Sequence, residues 1–139
     1  MDDIEAIKQL KGRYFYYLDM KDWGAWGDLF TTDATLDVSG EYPDAADPSQ
    51  YVISGREAIR TFVAQAVEGT VTVHHGHMPL ISLAGSDRAS GIWAMEDNLF
   101  FPDGSRMTGY GHYREDYSRA DGTWRIARLK LTRLRVLHG

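Results

Sequence analysis

From residue 70 to residue 136 the chain keeps a two-residue period. It runs through "TVTVHHGHMPLISL" (70–83), "RASGIWAMEDNLFF" (88–101), "SRMTGYGHYREDYSR" (105–119) and "TWRIARLKLTRLRV" (123–136). Successive side chains of a strand point to opposite faces, so this pattern predicts four long strands. Their separators, "AGSD", "PDG" and "ADG", are turn sequences. Strands joined by turns this short run antiparallel, because a parallel pair needs a crossover of about a dozen residues or more. One face of such a meander must be covered, and the material for that lies N-terminal to it.

The first seventy residues read mainly as helix. Ile4, Ile7, Leu10, Tyr14 and Leu18 fall on a helical stripe and predict a helix over 3–20, with Asp2 and Asp3 suited to its N-terminal dipole. "DWGAWGDLF" predicts a short second helix over 22–30, with Asp22 as N-cap and Trp23, Trp26 and Phe30 as its apolar stripe. "ATLDVSG" (34–40) alternates like a strand, and "EYPDAADPSQY" (41–51), with two prolines and three acids, reads as a loop. "SGREAIRTFVAQAV" (54–67) predicts a third helix, with Ser54 and Glu57 spaced as a capping box. The expected fold is α+β. Three N-terminal helices pack on a curved, mostly antiparallel sheet, and the cone between them opens at a mouth where pockets form. Gly91, Gly109 and Gly111, inside strands, predict bulges or sharp bends. A chain of 139 residues suits one domain spanning 1–139.

Composition narrows the function classes. The absence of cysteine excludes disulfides, thiolate metal sites and a cysteine nucleophile, and it is compatible with a reducing, cytoplasmic location. A formal charge of −5 argues against nucleic acid as a partner. The basic residues of "RIARLKLTRLRVLHG" alternate with aliphatics, as the wet face of a strand does. No apolar run reaches the roughly 18–20 residues of a membrane span, so no membrane partner is expected. The opening "MDDIEAIKQL" is acidic and amphipathic, unlike a signal peptide.

Three stretches, "YFYYLDMKDWGAWGDLFTTDATLDVSG", "TVHHGHMPLI" and "DGTWRIARL", together with the element order, resemble the SnoaL-like branch of the NTF2-like superfamily over essentially the whole chain. The resemblance implies the cone-shaped NTF2-like fold. In its chemistry the chain is most similar to scytalone dehydratase and the bile-acid 7α-dehydratase, which set an aspartate and a histidine across a pocket. Carried over, the aspartate is Asp19 at the end of the first helix. The histidine is His74, in the Thr72-Val73-His74 setting, in preference to His75 and His77. A tyrosine five positions before the aspartate is Tyr14. Trp93 stands near the position of scytalone dehydratase's second histidine, and Gly111 and Tyr113 stand where it has serine and asparagine, which points away from scytalone itself as substrate. The resemblance also implies a homodimer through the open sheet face.

The residues bear this chemistry, and each has a plainer reading. Imidazole titrates near neutrality, and a carboxylate on one ring nitrogen fixes the tautomer and supports the charged form. His74 would then move a proton beside a carbonyl and Tyr14 would hold the carbonyl oxygen, with no cofactor and no metal required. Alternatively Asp19 caps the "KDW" helix start, His74 is a satisfied strand histidine and Tyr14 is core. Tyr14 and Asp19 lie about 140° apart around a helix, so Phe15 and Asp19, at i and i+4, are the better-aligned pair. Alternation places Trp93, Met95, Leu99 and Tyr113 on the pocket wall. Arg133 shares a face with Leu129 and Leu131; inward, it would bind a substrate carboxylate, whereas the basic alternation favours an outward, solvated side chain. His75 and His77 share the opposite face from His74 with no third metal ligand apparent. Asp97 and Glu115 are inward strand carboxylates without a specific pairing to Tyr14, which leaves a steroid-isomerase role weak. An epoxide-hydrolase role fits only in outline.

The expectation is therefore a cofactor-independent lyase, dehydratase-like, or an isomerase, acting on a hydrophobic, oxygenated, ring-containing small molecule through Asp19 and His74. The alternatives are a non-catalytic small-ligand binder and a dimeric assembly domain.

Overall fold

The computed structural model describes residues 1–139. The element order is α1 (Asp3–Asp19), α2 (Trp23–Gly27), β1 (Phe30–Asp37), two 3₁₀ turns (Ser39–Glu41 and Pro48–Tyr51), β2 (Val52–Ser54), α3 (Arg56–Ala66), β3 (Val71–Leu83), β4 (Arg88–Phe100), β5 (Arg106–Ala120) and β6 (Thr123–His138). The six strands form one sheet in the order β2-β1-β6-β5-β4-β3. All neighbours pair antiparallel except β1 and β6, which run parallel. This is an α+β cone of three helices on a mostly antiparallel open sheet.

The four long strands and all three helices lie where the periodicity puts them, and three details differ. The second helix is a single turn of five residues, because Phe30, read as part of its stripe, already pairs with Ile126 as the first residue of β1. The loop over 41–51 is followed by a short sixth strand, β2, pairing with β1. Ser54 ends that strand instead of capping α3; the N-cap is Gly55 at φ 97°, with no side-chain cap bond. Asp2 does cap α1, its carboxylate accepting from the Glu5 N–H at 2.8 Å.

One face of the sheet holds the core. Ile7, Leu10, Tyr14 and Leu18 of α1 meet Trp26, Phe30, Ile126 and Leu129, all buried in one cluster. Tyr14, Trp26 and Phe30 pack edge-on or tilted, with Trp26 and Phe30 centroids 4.9 Å apart. Register shifts at His77/Leu80, Tyr110/Gly111 and Asp116/Tyr117 bend the sheet around the helices. Of the three strand glycines only Gly111 sits at such a shift. Pairing is continuous through Gly91 and Gly109, which instead make room for large side chains.

Beneath Tyr14 lies an ion pair. Lys11 is on the same stripe as Ile7, Tyr14 and Leu18, and it is 0 % exposed. Its ammonium meets Glu115 of β5 at 2.5 Å and lies 3.6 Å from the centre of the Tyr14 ring and 3.8 Å from that of Tyr113. Glu115 also accepts from the Tyr117 hydroxyl at 2.6 Å, which in turn accepts from the Trp93 indole at 2.9 Å. Each member of this Trp93–Tyr117–Glu115–Lys11 relay has a polar partner, as burial demands.

Candidate active site

β3 is an edge strand, so every second backbone N–H along it has no partner strand. The end of α1 meets that edge. Lys21, in the left-handed region at φ 56°, turns the chain away after Asp19, and its ammonium holds the Thr70 carbonyl. Asp19 therefore projects onto β3. Its carboxylate accepts the His74 backbone N–H at 3.0 Å, the Thr72 hydroxyl at 2.9 Å and the His74 ring Nδ1 at 2.7 Å. Partial burial pushes the Asp19 carboxyl up, but the His74 ring and backbone bonds and the Thr72 hydroxyl outweigh it, and its pKa lies below the ordinary value. An ionised Asp19 can only accept. In neutral His74 the hydrogen thus sits on Nδ1, and Nε2 keeps its lone pair.

His74 lines a cavity of about 370 Å³ between the helices and the sheet. The lining is mostly apolar, with Leu18, Leu36, Phe62, Leu99, Phe101 and Leu129 among it. Its polar groups are few: Tyr14, Glu41, Tyr42, His74, Asp97, Tyr113 and Arg133. The His74 Nε2 lies 3.9 Å from Asp97 Oδ2. Arg133 grips Asp97 with both terminal nitrogens, at 2.8 and 3.0 Å, and touches Glu41 on the other side. Burial pushes the Tyr14 phenol well above its usual range, reinforced by the charges of Glu115, Asp97 and Asp19, so Tyr14 stays a hydrogen-bond donor. Burial does the same to Tyr113.

The structure thus brings His74, Tyr14, Leu99, Tyr113 and Arg133 to one cavity and sets Asp19 behind His74, outside the lining. Asp19 accepts from the His74 ring on the side away from the cavity, and it caps neither helix. Three pocket-wall assignments are corrected. Phe15 and Trp93 close over Gly76 and fill space between α1 and the sheet, and Met95 lies 3.5 Å behind the Arg133 guanidinium. Arg133 points inward and is only 8 % exposed, against the basic alternation, because Asp97 neutralises it. Its two terminal nitrogens already serve protein carboxylates, so it offers no free fork to a substrate carboxylate.

Lys11 and Glu41 escaped the sequence reading. For Lys11 there was a signal, since it stands four residues from Ile7 on the buried stripe. For Glu41 there was none, because it reads as one more loop acid. His75 and His77 lie on the outer face, each 3.6–3.7 Å from the Glu96 carboxylate.

A profile of the SnoaL-like domain matches residues 1–130. The chain belongs to the SnoaL-like domain family. Among solved structures it is similar to Rv3472, a protein of unknown function from Mycobacterium tuberculosis, with a TM-score of 0.80 at 28% identity over 96% of this chain and 77% of that one. A provisionally assigned scytalone dehydratase from Novosphingobium aromaticivorans gives a TM-score of 0.82 at 20% identity over 97% and 86% of the two chains. The hexachlorocyclohexane dehydrochlorinase LinA-type3 from Novosphingobium barchaimii gives 0.82 at 18% identity over 97% and 88%. The last two establish a shared fold.

This SnoaL-like cavity depends on one glycine. The Arg133–Asp97 pair occupies the space a Cβ on Gly109 would need. Gly109→Ala is expected to push the pair off its geometry and cost about 1–3 kcal/mol, the usual penalty of overpacking. Urea unfolding would check it, and an unchanged midpoint would mean the pair can shift freely.

Proposed function

We propose that this chain is a cofactor-independent lyase of the dehydratase type, or an isomerase, acting on a hydrophobic, oxygenated, ring-containing small molecule. One observation carries the reading. A histidine whose Nδ1 is held by an ionised aspartate turns its other face toward an apolar cavity. A lone pair there removes a proton from a carbon beside a carbonyl, and the Tyr14 hydroxyl stabilises the enolate oxygen. Asp19 supports the imidazolium that forms, and Asp97 faces it from the other side. Neighbours named as a dehydratase and a dehydrochlorinase, which by name perform eliminations, support the reaction class.

Asp19→Asn keeps the shape of the site and removes the charge. It is expected to lower kcat for elimination by at least about tenfold, below the roughly 10²–10⁴-fold worth of a full proton-transfer group. In the ¹⁵N spectrum of the ring, wild type should show hydrogen on Nδ1, and the variant should lose that preference. A ring whose tautomer ignores Asp19 would overturn the orienting role.

The mostly apolar lining also supports a second reading, a binder without chemistry. It predicts ligand-dependent thermal stabilisation with no turnover. A second copy on the outer sheet face is part of the same proposal: Leu80 and Leu134 are 72% and 74% exposed there. Light scattering would count the copies.

A further inference from the structure

Three carboxyl groups surround the His74 end of the cavity, with one permanent cation among them. Asp19 is satisfied by Thr72 and His74. Asp97 takes both terminal nitrogens of Arg133 in a fork, the arrangement that best stabilises an ionised carboxylate. Glu41 shares that same guanidinium: its Oε1 touches Arg133 Nη2, outside the direction of a hydrogen bond, so one cation serves two carboxyl groups of which Asp97 has the fork. Two carboxylates on one buried cation leave a net negative charge in apolar surroundings, which is costly, and the less firmly held group neutralises instead.

Glu41 is also held in place. Asp37, at the end of β1, braces the first residue of the 3₁₀ turn, accepting from the Ser39 N–H at 3.0 Å and the Ser39 hydroxyl at 2.6 Å. A Cβ on Gly40 would come within 2.8 Å of the Leu131 carbonyl, so glycine lets the turn lie flat on β6. The next residue, Tyr42, stacks on Tyr51 at 3.7 Å between ring centres. The turn thus fixes Glu41 in the cavity wall beside Arg133.

We infer that Glu41 is the proton donor of this site, the acid that protonates the departing oxygen while His74 removes the proton from carbon. The inference rests on the lyase reading of His74. In the step, His74 Nε2 takes the carbon-bound hydrogen as a proton, and the C–H electron pair becomes the new C=C bond. The C–O bond breaks with its pair on oxygen, Glu41 gives that oxygen its proton, and water leaves. Glu41 is then a carboxylate and His74 an imidazolium, and one proton returned from His74 to Glu41 through solvent restores both. Burial sets the Glu41 carboxyl above its ordinary range, with Asp97 reinforcing and Arg133 opposing.

The first test needs no substrate. In protein labelled with ¹³C at glutamate carboxyls, the signal absent from Glu41→Gln is that of Glu41. It should ionise above the ordinary glutamate range; ionisation within or below that range overturns the assignment. The second test uses a β-hydroxy-tetralone and its β-chloro counterpart, since chloride leaves without a proton. Glu41→Gln should lose at least about ten times more rate on the hydroxy compound than on the chloro compound, out of an acid's worth of about 10²–10⁴. Equal losses on both would make Glu41 a structural residue. His74→Ala should slow both; if it slows neither, the base assignment fails, and the Glu41 titration is read independently of it.

Discussion

Alanine in place of His74 is expected to lower elimination from a β-hydroxy ketone by about 10²–10⁴-fold, the worth of a positioned general base. The loss would be chemical, not structural. The tie between α1 and β3 includes the His74 backbone N–H on Asp19, which alanine keeps. The Thr72 hydroxyl also stays on that carboxylate. Turnover and a thermal melt on the same sample separate the two causes. A variant that stays folded and retains turnover within tenfold of wild type would remove the lyase reading and leave the ligand binder in its place.

Lys11→Met is expected to destabilise the protein by about 3–5 kcal/mol, because it leaves the Glu115 carboxylate buried without its cation. The double variant Lys11→Met, Glu115→Gln should recover most of that loss, since glutamine still accepts from Tyr117. Burial lowers the Lys11 ammonium from 10.5 to about 8 in spite of Glu115, so the unfolded chain holds that proton more tightly than the folded one. Stability from this group therefore rises as pH climbs from about 8 to 10.5. The gap between wild type and the single variant should widen over that window. The buried tyrosines act the other way at the alkaline end, being raised by burial, but the comparison subtracts them. A single variant within about 1 kcal/mol of wild type at pH 7 would mean that water or relaxation reaches Glu115.

The fold was readable because period and turn chemistry agree over the four long strands, and no tertiary context overrides a pattern that long. The short elements were not. Phe30 satisfies a helical stripe and a strand start equally well, and only pairing with Ile126 decides. Ser54 and Glu57 have capping spacing, yet the strand hydrogen bonds of β2 claim Ser54 first. At the site, family resemblance supplied His74 and Asp19, residues 55 positions apart whose contact no local spacing announces. Arg133 misled because charged residues alternating with aliphatics describe a solvated face, and its inward turn depends on Asp97, 36 positions away. Glu41 depends on a turn lying flat on β6, a tertiary fact with no local trace.

The bond from the His74 backbone to Asp19 has a consequence outside chemistry. An open sheet edge invites another chain to add a strand, and proteins blunt such edges with charge. At the other edge β2 is three residues long and offers little to copy. At the β3 edge, an incoming strand must first displace a carboxylate that already holds an outward N–H. The carboxylate that accepts from the His74 ring thus also occupies an outward N–H that an added strand would need, one contact serving both the cavity and the sheet edge.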